Sequence, residues 1–319
     1  MASVTSTLGN GCKSSWSPPW DKFLIFPSFI IEALITIVVA ICAIFILPDY
    51  PETTKWLSEQ EKVVAQSRLA IDAGSEQVLT EGTPSIMRSL GHAAKDYRTW
   101  LFACMQMACT ASISYSHFFP TLIKGLGFKS NTTTLLLTSP PYMAAFIWAL
   151  SIAFIADRQQ VRSPWAGSSA IIALVGAIIV VALPIEYQWP RYAMMFLLVI
   201  GTYGVYCTTY TWLSSTIVRP PAKRAAAIGI ANSFANLASF YGNYFWLDEY
   251  GPAFKQSWGC VIAFLFLCAS CIFTLRFTLN RRNKKFDELQ ARYERGEVNE
   301  LSLNEEQERA VKNGFRYVI

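Results

Sequence analysis

Seven runs of apolar residues, at 23–47, 99–120, 132–156, 165–183, 192–217, 225–247 and 258–279, leave this chain few folds to choose from. Each is close to the ~20 residues that a helix needs to cross the hydrocarbon of a bilayer. The runs are continuous rather than alternating, which predicts helices. A backbone facing lipid must also satisfy its own hydrogen bonds. With 53% hydrophobic residues, the chain reads as an integral, multi-pass membrane protein of all-α class. The net charge of +5 would suggest a nucleic-acid partner in a soluble protein. Here the positive residues gather in loops, so membrane topology accounts for them and no nucleic acid is expected.

The polar stretch after the first run divides the chain. Pro48 and Pro51 stop the first helix, since proline lacks the N–H and clashes with the preceding turn. Ser58-Glu59-Gln60-Glu61 then reads as a capping box that starts a new helix, with Lys62 and Arg68 on a polar face, suited to a headgroup boundary or to an ordinary surface. A second short helical piece is expected over 85–95. The expected organisation is an amino-terminal segment (1–28), one span (29–47), a central loop (48–98), a six-helix bundle (99–279) and a charged tail (280–319) whose 305–312 stretch is helix-prone. With the tail cytoplasmic, inner segments hold 21 of the 27 Lys and Arg, which places the amino terminus outside and the carboxy terminus inside. Only Cys12 of the eight cysteines lies clearly outside the spans, so neither a disulfide framework nor a metal site is expected.

Seven spans in this orientation also describe a G-protein-coupled receptor. Three features oppose that reading. The first inner loop would be about fifty residues long, well beyond common helix connections. No outer cysteine pair is available. The inner end of the third span reads Ala156-Asp157-Arg158-Gln159 rather than an acidic-Arg-Tyr triplet.

Five segments carry a resemblance instead: Phe29-Ile30-Ile31-Glu32-Ala33-Leu34, LPDYPETTKWLSEQE at 47–61, Asp96-Tyr97-Arg98-Thr99-Trp100-Leu101, RPPAKRAAAIGIANSFAN at 219–236, and Phe315-Arg316-Tyr317-Val318. Together they resemble the allantoate permease family of fungal anion:cation symporters, within the major facilitator superfamily. The resemblance implies a twelve-span fold of which this chain carries the sixth span and the carboxy-terminal six-helix half, as an amino-terminally truncated copy. It implies a secondary active transporter in the plasma membrane, moving a small organic anion such as allantoate, a vitamin or another carboxylate, proton-coupled in full-length form. The implied partners are the lipid bilayer, the organic anion, protons and the missing amino-terminal half, with no cofactor. Residues 157–162 (DRQQVR) resemble the superfamily's inner-loop turn, with Ala153 in place of its glycine and the last arginine displaced. Asp157, Arg158 and Arg162 are therefore either a gate at a helix end or a positive-inside anchor.

Three polar stripes recur at helical spacing: Gln106, Thr110, Ser114 and His117; Tyr203, Tyr206 and Tyr210; and Asn232, Asn236, Ser239 and Asn243. The 3.6-residue period puts each set on one face, and unpaired amides facing lipid would cost several kcal/mol. The stripes either line a water-accessible substrate cavity or pack by interhelical hydrogen bonds. Substrate contacts are expected from Gln106, Thr110, Tyr203, Tyr206, Tyr210, Asn232 and Asn236. Glu32 is the one acidic residue well inside a span, and it serves either proton coupling or a contact with the interface. Pro140 and Pro141 are expected to bend the third span. From Thr99 to Leu275 no Lys or Arg lies inside a span, so the charge-recognising group for an anion is expected in the absent half. No phosphate loop, H-E-x-x-H or nucleophile elbow is present, and the chain is not expected to be an enzyme.

Overall fold

The computed structural model describes residues 19–47, 54, 57–73, 86–126, 131–184, 186–217, 220–247, 250, 254–297, 305–312 and 314–318. The chain divides into two compact units, Met1–Thr80 and Glu81–Ile319. All described regular structure is helical.

In the first unit, α1 (Pro19–Ile46) is uninterrupted and carries an exposed apolar surface that includes Ile35, Val39, Ile44 and Phe45. Helix α2 (Glu59–Ala73) begins where the capping box requires. Ser58 donates its backbone N–H and its hydroxyl to Glu61 Oε2 at 3.0 and 2.8 Å, and the Glu61 N–H returns to Ser58 Oγ at 3.4 Å. The reciprocal bonds satisfy N–H groups that a helix start otherwise leaves without partners. Residues 1–18 of the expected amino-terminal segment, most of residues 48–56 and all of 74–85 lie outside the described residues, while 19–28 belong to α1.

The second unit opens with the short α3 (Ile86–Lys95) and continues as α4 (Tyr97–Ile113), a 3₁₀ turn (Ser114–Phe118), α5 (Phe119–Gly125), α6 (Asn131–Gln159), α7 (Ser163–Ala182), α8 (Gln188–Thr216), α9 (Pro221–Gly242), a 3₁₀ turn (Asn243–Phe245), the 40-residue α10 (Lys255–Glu294) and α11 (Glu305–Lys312). Helix α4 packs on α8, α9 and α10, while α7 packs on α8 and α10. Helix α6 flanks α8, with Trp148 Nε1 reaching Ser169 Oγ of α7 at 3.3 Å, and α3 lies against α9. Two apolar clusters fill the interior. One joins Phe102, Met105, Trp212, Ile272 and Leu275, the Phe102 and Trp212 rings meeting edge to face at 5.5 Å. The other joins Tyr115, Phe119, Leu198, Trp246 and Trp258.

Small residues set the closest crossing. A Cβ on Gly201 of α8 would lie 2.5 Å from Ser169 O and Ala173 N of α7, and one on Gly176 would lie 2.8 Å from Leu198 N. Those backbones touch only because neither glycine has a side chain, the usual way that apolar helices associate closely.

Several details depart from the sequence expectations. The second expected span is broken, α4 giving way to 3₁₀ geometry at Ser114 and restarting as α5 at Phe119. Helix α10 runs past the expected end at 279, because Leu279 and Phe286 bury on its inner face although the segment is rich in Arg and Lys. Among the described residues, four helices rather than seven are both long and apolar enough to cross a membrane: Thr133–Gln159, Ser163–Ala182, Gln188–Thr216 and Lys255–Glu294. Helix α4 is too short, and Asn232, Ser233, Asn236 and Ser239 lower the apolarity of α9.

Candidate functional site

The stripe residues of α4, α8 and α9 converge. Gln106, on α4, is fully buried, yet neither end of its amide has a hydrogen-bond partner. The Tyr210 hydroxyl on α8 is the polar neighbour of that amide, without a well-formed hydrogen bond between them. Instead it donates to Asn232 Oδ1 on α9 at 3.3 Å. One turn on, the Asn236 side chain donates to the Asn232 carbonyl at 3.0 Å. Tyr206 meets Tyr210 edge to face at 5.5 Å. Thr110, one turn beyond Gln106, also has a buried hydroxyl without a partner. The structure thus brings Gln106, Tyr206, Tyr210, Asn232 and Asn236 into one polar patch.

Other expected site residues go elsewhere. Tyr203 turns to α6, where its ring packs edge to face on Tyr142 at 5.7 Å. Ser114 accepts a bond from Trp246 Nε1 at 3.0 Å and is a packing contact, while His117 is exposed. Glu32 belongs to the first unit, exposed on α1, where its carbonyl accepts from Thr36 Oγ1 at 2.9 Å. At the end of α6, Arg162 donates to Asp157 Oδ1 at 2.8 Å, linking α6 to the start of α7. Asp157 is 66% exposed in its side chain, so the pair is worth ~1 kcal/mol or less. Gln160 closes this turn in the left-handed region at φ 55°. Arg158 is exposed and forms no ion pair among the described residues.

A second constellation, which the sequence analysis did not assemble, lies where α4 begins. Asp96 caps α4 by accepting from the Arg98 N–H at 3.0 Å. Its two oxygens also accept from the Arg98 guanidinium at 2.7–3.1 Å and from Lys223 of α9 at 2.7 Å. Arg98 then reaches Glu306 of α11 at 2.8 Å and the Tyr317 hydroxyl, and Arg282 of α10 donates to Glu306 at 3.0 Å. Burial pushes the Asp96 carboxyl up, but its bonds to Arg98 and Lys223 outweigh that and hold it at about 2. Burial likewise opposes ionisation of Glu306, and Arg98 and Arg282 hold it below the ordinary carboxylate range. The signal was present in the sequence, because Asp96, Arg98, Lys223 and Tyr317 all sit in the segments that carried the family resemblance.

Residues 16–243 match the family described as Major Facilitator Superfamily, across both units. The chain belongs to the major facilitator superfamily. Its relatives include an uncharacterized transporter of Schizosaccharomyces pombe, 29% identical over 91% of this chain and 55% of that protein. The MFS-type transporter efuF of Hormonema carpetanum is 30% identical over 70% of this chain and 44% of its own length. The MFS transporter prlL of a fungal species is 26% identical over 81% and 51% respectively. This major facilitator chain therefore spans about half the length of the curated relatives it matches. The superfamily is one of multi-pass membrane transporters rather than enzymes, and the seven-span receptor reading is set aside.

Proposed function

We propose that this chain supplies the sixth span and the second six-helix half of a secondary active transporter for a small organic anion, such as allantoate, a vitamin or another carboxylate. The supporting family is the fungal allantoate permeases, on the segments quoted above. In this reading all seven apolar runs span the plasma membrane, with the amino terminus outside. The patch of Tyr206, Tyr210, Asn232 and Asn236 faces the other half across the substrate path, with Gln106 buried behind it and Thr110 and Tyr203 at its edges. Glu32 carries the coupled proton, and Asp157, Arg158 and Arg162 belong to the inner gate.

One observation carries the substrate assignment: the Gln106 amide is buried with the Tyr210 hydroxyl beside it and no well-formed hydrogen bond at either end. A buried amide without partners costs about 1–3 kcal/mol, which a packing role does not explain and a ligand with complementary groups does. The test is Gln106→Leu, with the first five spans of a full-length relative supplied as a separate polypeptide in a fungal strain lacking its own organic-anion permeases. Uptake of labelled allantoate and of labelled vitamin carboxylates should fall at least tenfold at equal surface abundance, while the folded state stays as stable or gains up to about 3 kcal/mol. Unchanged uptake, or a loss of stability, makes Gln106 a packing residue.

A further inference from the structure

Beyond transport, the second unit holds residues 305–318 much as a receptor holds a peptide. One side chain reads both backbone groups of one residue: the Tyr317 N–H donates to Asn283 Oδ1 at 2.9 Å, and Asn283 Nδ2 donates back to the Tyr317 carbonyl at 3.0 Å. Trp212 Nε1 of α8 donates to the Val318 carbonyl at 2.9 Å. Phe315, Arg316 and Tyr317 each have a side-chain partner. The Tyr317 ring stacks on Phe286 at 5.9 Å, with the Arg98 guanidinium 5.2 Å from its centroid. Arg316 reaches Asp287 and Gln290 of α10, each at 2.7 Å. Phe315 packs edge to face on Tyr317 at 5.1 Å. Main-chain bonds that fix the strand, together with separate seats for successive side chains, are how extended peptides are recognised.

We propose that the Asp96 end of α4, α8 and α10 forms a peptide-docking site filled by the chain's own Phe315-Arg316-Tyr317-Val318, and that docking holds the first turn of α9 onto α4. The link is electrostatic. With the segment in place, Arg98, Lys223 and Arg282 face the carboxylates of Asp96 and Glu306. Once it leaves, Arg98 and Arg282 lose Glu306, and among the described residues Asp96 is the carboxylate left to Arg98 and Lys223. Lys223 is then the group driven away, since among the described residues its ion pair is to Asp96 Oδ2.

The full chain in nanodiscs tests this with two readouts: hydrogen exchange over 305–318 and the rate at which an amine-acylating reagent modifies Lys223. Asn283→Ala or Tyr317→Ala should speed exchange across the whole segment at least tenfold and raise Lys223 acylation several-fold. Exchange in α7 and α8 should not change. Excess free peptide of sequence 305–319 should return Lys223 acylation in Tyr317→Ala to the rate of the unaltered chain, while the chain's own displaced segment stays fast-exchanging. Tyr317→Phe keeps the ring and both backbone bonds, and should stay docked. Fast exchange of 305–318 in the unaltered chain, acceleration confined to position 317, or failure of the peptide to lower Lys223 acylation in Tyr317→Ala overturns the docking site. Unchanged Lys223 acylation in an undocked variant overturns the link to α9.

Discussion

Arg98 is a charged side chain only 5% exposed, and it bears no isolated charge because each part of the guanidinium is answered. Removing one partner from such a set costs more than the pair contributes, since the remaining charge is stranded in a poor solvent. Asp96→Ala is therefore expected to destabilise the second unit by about 3 kcal/mol, whereas Asp157→Ala, at an exposed pair, should cost under about 1 kcal/mol. Chemical denaturation of the two variants in the same detergent would separate them. The pH dependence follows from the same groups. Asp96 titrates at about 2 when folded against 3.8 ordinarily, so its contribution is complete above about pH 4 and is lost as pH falls towards 2. For Tyr317, burial lifts the phenol to about 12 from 10, so its contribution is complete below about pH 10 and is lost as pH rises through 12. Protection of residues 305–318 from hydrogen exchange, corrected for intrinsic rate, should hold between those limits and collapse outside them.

Among the elements, α7 and α8 are the pair most sensitive to a single methyl. Gly201→Ala would set a carbon 2.5 Å from two backbone atoms of α7, and neither can move without moving the helix. A loss of roughly 3 kcal/mol is expected, with Gly229→Ala on α9, where nothing lies within 4 Å, as the neutral control. Elements were legible in the sequence wherever the signal was local. The S-x-x-E at Ser58 gave the start of α2, and the helix-prone 305–312 is α11. What escaped was non-local. At the break, Ser114 bonds Trp246, 132 positions away. The extension of α10 beyond 279 depends on Phe286 finding Tyr317. For the polar patch, periodicity identified the faces, but only packing could show that Tyr203 leaves for α6 while Tyr210 stays with α9. The charge cluster at Asp96 joins residues from four helices and one extended segment, and no spacing rule links them.

At the scale of the whole molecule, the exposed apolar side chains of α6, among them Leu136, Phe146, Ile147 and Phe154, provide the lipid-facing surface that a multi-pass protein needs. The proposed orientation is checked with single-cysteine variants and an impermeant thiol reagent on intact cells, where Lys129→Cys should be labelled and Ser75→Cys should not. The reverse pattern would invert the topology. Transport by the proposed site requires two bundles rocking around it. Allantoate uptake should accordingly be absent with this chain alone and appear when the complementary spans are co-expressed. Helix α10 adds a mechanical consequence. Its 40 residues measure about 60 Å, twice the ~30 Å thickness of hydrocarbon, so roughly half of it stands clear of the bilayer as a rod. A rod of that length is a lever. A tilt of about 10° about its buried end sweeps the far end, near Glu294, through roughly 10 Å. Movements of a fraction of an ångström between packed helices would thus be written at large scale outside the membrane, where a spin label or a binding protein could read them.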